Sequence, residues 1–152
     1  MDVIDKRNLM MKHYNEPKNK GFIDCDGYIL NTQNNASCID EVKLMTKIKD
    51  GKIVDIRFDG EACAVCTAST SIMIETLLNK SVTDAKKIVK NFENMIDGKE
   101  YDKTSIENAI IFEDIGKQPS RKKCALLAWW GMDETLAHSK EGNDYEYGKE
   151  SE

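Results

Sequence analysis

At 152 residues the chain has room for one domain with a substantial core. Its 22 basic and 27 acidic residues give a net charge of −5, which excludes nonspecific phosphate binding as the main task because no general basic field exists. No apolar run reaches a membrane span, the first residues lack the order of a secretion signal, and five cysteines make a poor disulfide framework. The expectation is therefore a cytoplasmic protein with reduced cysteines and neither a membrane nor a nucleic-acid partner.

Residues from about Val3 to Tyr14 read as a short amphipathic helix, with Ile4, Leu9, Met10 and Tyr14 on its apolar side. Pro17 and Gly21 break it in a polar loop. Tyr28, Ile29 and Leu30 suggest an edge strand. Strict alternation follows: Val42, Leu44, Thr46 and Ile48 against Lys43, Met45, Lys47 and Lys49, resuming at Val54, Ile56 and Phe58. A two-residue loop at Asp50-Gly51 pairs Ile48 with Ile53 and sets Arg57 beside Leu44. A three-residue loop pairs Thr46 with Val54 and Leu44 with Ile56, keeping one face apolar, and is the register expected here.

Helical spacing predicts a helix from Cys63 to about Asn79, and Ser81 with Asp84 opens a second one that ends at Gly98. Lys99 to Thr104 reads as a polar loop. Ser105 to about Ile115 reads as a short helix closed by Gly116 and Pro119. A last helix is predicted from about Arg121 to Ala137, with Trp129 and Trp130 divided between core and surface. The fold class is α+β: a small, roughly three-stranded antiparallel sheet with helices on one face, in two layers. Residues 1–138 form the domain, and 139–152 read as an acidic, disordered tail.

Chemistry concentrates in three cysteine segments: Asn35-Ala36-Ser37-Cys38-Ile39-Asp40, Gly60-Glu61-Ala62-Cys63-Ala64-Val65-Cys66, and Arg121-Lys122-Lys123-Cys124-Ala125. Such distant thiols and one carboxylate meet only through the fold, and there they make a thiolate-rich metal site or a reactive sulfur centre. Cys63 and Cys124 are both expected in the first turn of a helix, where free N–H groups favour a thiolate. Cys66, three residues after Cys63, is read as packing beside the site, with ligation left open as the alternative. Cys25 reads as structural, and His13 and His138 as surface residues.

These segments, in this order, resemble the U-type iron–sulfur assembly family that includes IscU, the NifU N-terminal domain and the SufU branch. Asn35 to Asp40 correspond to the family's Asn-Pro-x-Cys-Gly-Asp loop, and Gly60 to Cys66 to Gly-x-Gly-Cys-x-x-Ser. Arg121, Lys123, Cys124, Ala125, Leu127 and Trp129 correspond to Arg-x-Lys-Cys-Ala-x-Leu-x-Trp. Departures are Ala36 for proline, Ile39 and Ala62 for glycines, and Cys66 for serine. Lys123 in place of histidine, together with the long Gly98–Gln118 segment, favours the SufU branch.

The resemblance implies a zinc-dependent sulfurtransferase. Zinc is held by Cys38, Asp40, Cys63 and Cys124, with Arg121 and Lys123 offsetting the negative charge. Cys38 is the mobile ligand, exchanged for a partner histidine, and it takes persulfide sulfur from a SufS-type cysteine desulfurase. Arg121 positions the partner's loop, and two onward routes stand open for the sulfur: downstream iron–sulfur assembly proteins or tRNA modification. Two alternatives stand beside this reading: a scaffold that builds and transfers a [2Fe–2S] cluster, and a passive zinc module.

Overall fold

The computed structural model describes residues 1–35, 39–139 and 150–151. The chain runs α1 (Val3–Asn15), β1 (Ile29–Asn34), β2 (Glu41–Lys49), β3 (Lys52–Asp59), α2 (Ala64–Leu77), α3 (Val82–Ile96), α4 (Pro119–His138) and β4 (Glu150–Ser151). The strand order is β3-β2-β1-β4, with the first three antiparallel and the two-residue β4 parallel to β1. This is the α+β class expected from the sequence. The tail expected over 139–152 lies almost entirely outside the described residues.

The turn at Asp50-Gly51 has two residues, and both carry positive φ, as the twist-matched hairpin turn requires. Ile48 pairs with Ile53, against the expected three-residue loop. The apolar face survives because the pairing jumps from Ile48–Ile53 to Lys47–Asp55, leaving Val54 surplus and 40% exposed in a bulge. Leu44 therefore meets Phe58, and not Arg57 or Ile56. β1 also extends through asparagines that the sequence reading had left out. Asn31 is buried there and donates through Nδ2 to Glu134 of α4 at 3.1 Å.

α4 lies on β1 and β2, and α2 lies on β3. α1 and α3 flank this pair. α2 is buried on nearly every side, and its Thr70 and Thr76 hydroxyls satisfy themselves on the carbonyls one turn back. The Ser81 hydroxyl caps α3 by accepting from Asp84 N–H at 3.0 Å, as expected. The helix expected over 105–115 is instead a pair of short 3-10 turns, Glu107–Phe112 and Ile115–Lys117. Pro119 does not close them; it opens α4 at the first helical position, where its missing N–H costs nothing.

α1 turns Lys6, Leu9, Met10 and His13 inward, so Leu9 and Met10 lie on the expected face while Ile4 and Tyr14 do not. Ile4 is 68% exposed, whereas His13 is buried. The backbone N–H of Lys18 donates to Ser71 Oγ at 2.8 Å, and the Ser71 hydroxyl lies 2.7 Å from His13 Nδ1. The other ring nitrogen, Nε2, lies 3.8 Å from Glu75. His13 is thus a core latch between α1 and α2, not a surface residue. His138 is exposed, as expected, and the tryptophans divide: Trp129 is buried and Trp130 half-buried.

Candidate metal centre

Gly60 sets up the centre. Its φ is +115°, and a Cβ there would stand 2.3 Å from the Glu41 carbonyl oxygen. Only glycine lets the chain leave β3 so close to β2. Glu41 N–H then donates to Glu61 at 2.7 Å, strapping the approach to α2 against the start of β2. Asp40, immediately before β2, is buried by this arrangement.

Cys63 is the N-cap of α2. Its sulfur accepts from Cys66 N–H at 3.4 Å, and its own N–H donates to Asp40 Oδ1 at 2.7 Å. Oδ2 of Asp40 lies 3.6 Å from the Cys63 sulfur, so one carboxylate oxygen aligns the helix start and the other faces the thiol. Cys124 completes the cluster from α4. It is the sixth residue of that helix, in the second turn and not the first, so free helix N–H groups do not reach it.

One donor atom from each of Asp40, Cys63 and Cys124 lies within 4.8 Å of the other two. Burial pushes the Cys124 thiol well above the usual thiol range, and the adjoining Asp40 and Cys63 push it further. Burial is the larger cause, and the crowding of three potential anions adds to it. A divalent cation reverses that cost, and two sulfurs with one oxygen are donors suited to zinc. Tetrahedral coordination with Zn–S near 2.3 Å places sulfurs about 3.8 Å apart, within reach of this spacing. The residues present fit the ion.

The remaining sulfur candidates separate clearly. Cys66 is wholly buried in the hydrophobic core and does not join this cluster. Cys25 sits outside the site, its Sγ 3.6 Å from the Ile23 carbonyl. Among the described residues, all four cysteines are free thiols. Cys38 lies outside the described residues, while its neighbour Ile39 is 81% exposed. Arg121 is exposed on the first turn of α4, one turn before Cys124. Lys122 pairs with Asp97 at 2.9 Å. A shallow groove of about 580 Å³ opens beside Cys63, lined by Tyr14, Pro17, Lys20, Ile39, Glu61 and Thr67.

Residues 5–94 match the family model described as the NifU-like N-terminal domain. This chain belongs to that family. The matched NifU-like segment carries Asp40 and Cys63 and stops before Cys124. Similarity to whole relatives continues past it. The chain is 35% identical over 139 residues to the zinc-dependent sulfurtransferase SufU of Bacillus subtilis, covering 90% of this chain and 92% of that protein. It is 32% identical to the iron–sulfur cluster assembly scaffold protein IscU of Thermotoga maritima, covering 84% and 89%. The crystal structure of the iron–sulfur cluster assembly scaffold protein for the SUF system (SufU) from Fervidobacterium islandicum superposes with a TM-score of 0.78 at 37% identity, over 82% of this chain and 91% of that one.

Two buried polar positions of this NifU-like chain were not expected from the sequence. Ser69 is a fully buried polar residue that bonds α2 to α4. His13 is the latch already described. Ser69 lies among Thr67, Thr70 and Ser71, and nothing sets it apart in the sequence; for His13 the available signal was its place three and four residues after Met10 and Leu9.

Proposed function

We propose that the protein works in iron–sulfur cluster assembly as a zinc-dependent sulfurtransferase, accepting sulfur on Cys38 from a SufS-type cysteine desulfurase. The observation carrying this reading is the convergence of Asp40, Cys63 and Cys124 within 4.8 Å. The printed name of the Bacillus subtilis relative supports it. In this reading Cys38, two residues before Asp40, is the fourth donor. When bound, zinc keeps these thiols deprotonated and adds no redox chemistry of its own.

The residues divide the work. Asp40 stays in place, because Oδ1 is committed to the Cys63 N–H. Cys63 and Cys124 are fixed on helices, whereas Cys38 belongs to the connection between β1 and β2 and is the sulfur that moves. Its thiolate attacks the terminal sulfur of the desulfurase persulfide. A new S–S bond forms at Cys38, the donor's S–S bond breaks, and the donor cysteine leaves as a thiolate. The terminal proton travels with the transferred sulfur. Exposed Ile39 and the groove beside Cys63 leave this side open to a protein donor, and Arg121 positions the partner's loop. Downstream assembly proteins then take the sulfur.

The test is a metal analysis of freshly purified protein, paired with a mass measurement after mixing with desulfurase and cysteine. One zinc per chain and one added sulfur on Cys38 are expected. Cys38→Ala abolishes stimulation of desulfurase turnover, and Arg121→Ala weakens it. Full stimulation by Cys38→Ala overturns the reading. The scaffold alternative has the name of the Thermotoga maritima relative in its favour, and the same thiols suit iron and sulfide. Anaerobic reconstitution followed by transfer of a cluster to an apo-ferredoxin is the outcome that selects it.

A further inference from the structure

Ser69 is completely buried on α2, between the N-cap Cys63 and the middle of the helix. Its hydroxyl lies 2.7 Å from the Ala125 carbonyl oxygen and 2.9 Å from Trp129 Nε1. An indole N–H can only donate, so Ser69 accepts from Trp129 and its single proton goes to Ala125. The hydroxyl is thereby fixed in rotation and tied to two turns of α4. Trp129 is itself held, its ring stacked on Phe92 of α3 at 4.0 Å and 7°.

Ala125 directly follows Cys124. The clamp therefore grips α4 beside one candidate ligand, while α2 carries the other at its N-cap. Sliding α4 by a single residue along α2 would move it about 1.5 Å and turn it by about 100°. Trp129 Nε1–H and the Ser69 hydroxyl would then be buried without partners, an arrangement proteins avoid. The clamp contains no group that competes for a cation, so its bonds do not depend on one. It holds the two sulfur-bearing helices in place despite the crowding of Asp40, Cys63 and Cys124.

We infer that Ser69 is a positioning residue for the metal centre, its hydroxyl fixing the register of α2 against α4 and so holding Cys63 and Cys124 at ligating separation before the ion arrives. This rests on the zinc reading proposed above and adds a residue to it.

The experiment measures zinc affinity of the full chain by competition with a chromophoric chelator, and the thiolate-to-metal charge-transfer band after cobalt substitution. Ser69→Ala is expected to bind zinc about tenfold more weakly and to lose intensity in that band, as loss of supporting bonds does at metal sites. Ile53→Ala, a core truncation in β3 with its stability measured in parallel, is expected to retain wild-type affinity and spectrum. Should Ser69→Ala fail to fold, Trp129→Phe removes the N–H anchor and retains a stacked ring; a loss of about threefold or more is expected there. Unchanged affinity and spectrum in whichever clamp variant folds overturn the inference, as does an equal loss in Ile53→Ala. A wild-type chain that binds neither zinc nor cobalt instead refutes the zinc reading itself, so the two failures are distinct.

Discussion

The backbone N–H of Cys63 donates to Asp40 Oδ1 at 2.7 Å, while Oδ2 of the same carboxylate faces the Cys63 sulfur at 3.6 Å. One side chain thus caps the start of α2 and supplies a donor to the cluster. Asp40→Ala removes both roles and is expected to lower zinc affinity by about 10- to 100-fold. Asp40→Asn retains an acceptor for the Cys63 N–H but loses the charge, and falls between that variant and wild type. Chelator competition measures both. Equal affinities for all three proteins would remove Asp40 from the donor set.

Gly60→Ala forces a Cβ to within 2.3 Å of the Glu41 oxygen at a backbone angle that L-residues seldom adopt. Either β2 and β3 separate or the Glu41–Glu61 strap breaks. A destabilisation of about 2–4 kcal/mol is expected in urea unfolding. Zinc affinity should fall with it, since the strap leads directly into Cys63.

Cys66 separates a core residue from a ligand. Its side chain is wholly buried and its N–H points at the Cys63 sulfur. Cys66→Ser is expected to retain one zinc per chain and lose about 1 kcal/mol of stability, because a hydroxyl replaces a small apolar thiol. Loss of the metal in a folded Cys66→Ser protein would make that thiol a ligand after all.

Glu93 gives the fold a dependence on pH. Burial raises its carboxyl, and Asp133 beside it raises it further, to about 7, while Lys90 opposes the shift. An unfolded glutamate titrates near 4.3, so between about 4.3 and 7 the native state holds the extra proton. Stability therefore falls as pH rises through that window. Glu93→Gln cannot ionise. It should match the wild type near pH 4 and exceed it at pH 8 by about 1 kcal/mol, after allowance for screening of a half-buried group. Unfolding curves at the two pH values decide it.

His13 acts with the opposite sign. Desolvation lowers its pKa, outweighing the attraction of Glu75. Below about 6.5 the unfolded chain takes up a proton that the native ring resists, so the latch weakens as pH falls. The stability advantage of wild type over His13→Gln is expected to be full at pH 7.5 and to shrink between about 6.5 and 5. A constant difference across that range would exclude a neutral buried ring.

The layout of the sheet and of α2 to α4 was legible because alternation and helical spacing record burial directly. The hairpin register was not. Alternation argued against a two-residue turn, yet Asp50-Gly51 adopts one, and a single surplus residue at Val54 restores the apolar face. Pattern alone does not reveal a bulge, because a bulge repairs the pattern. Pro119 misled for a related reason, since proline both ends and begins helices. At the site, Asp40, Cys63 and Cys124 were named by the family resemblance of their segments and not by spacing, and the placement of Cys124 in a second turn depended on where α4 begins. His13 was misjudged because its burial depends on Ser71, far away in sequence.

On the zinc reading the donors come from positions 38 and 40, between β1 and β2, and from 63 and 124 at two helices. No short stretch of the chain holds the full set, so a nascent polypeptide has nowhere to seat an ion until its last long helix has emerged and docked. Loading then follows folding, and occupancy of the pocket reports on the tertiary structure as a whole.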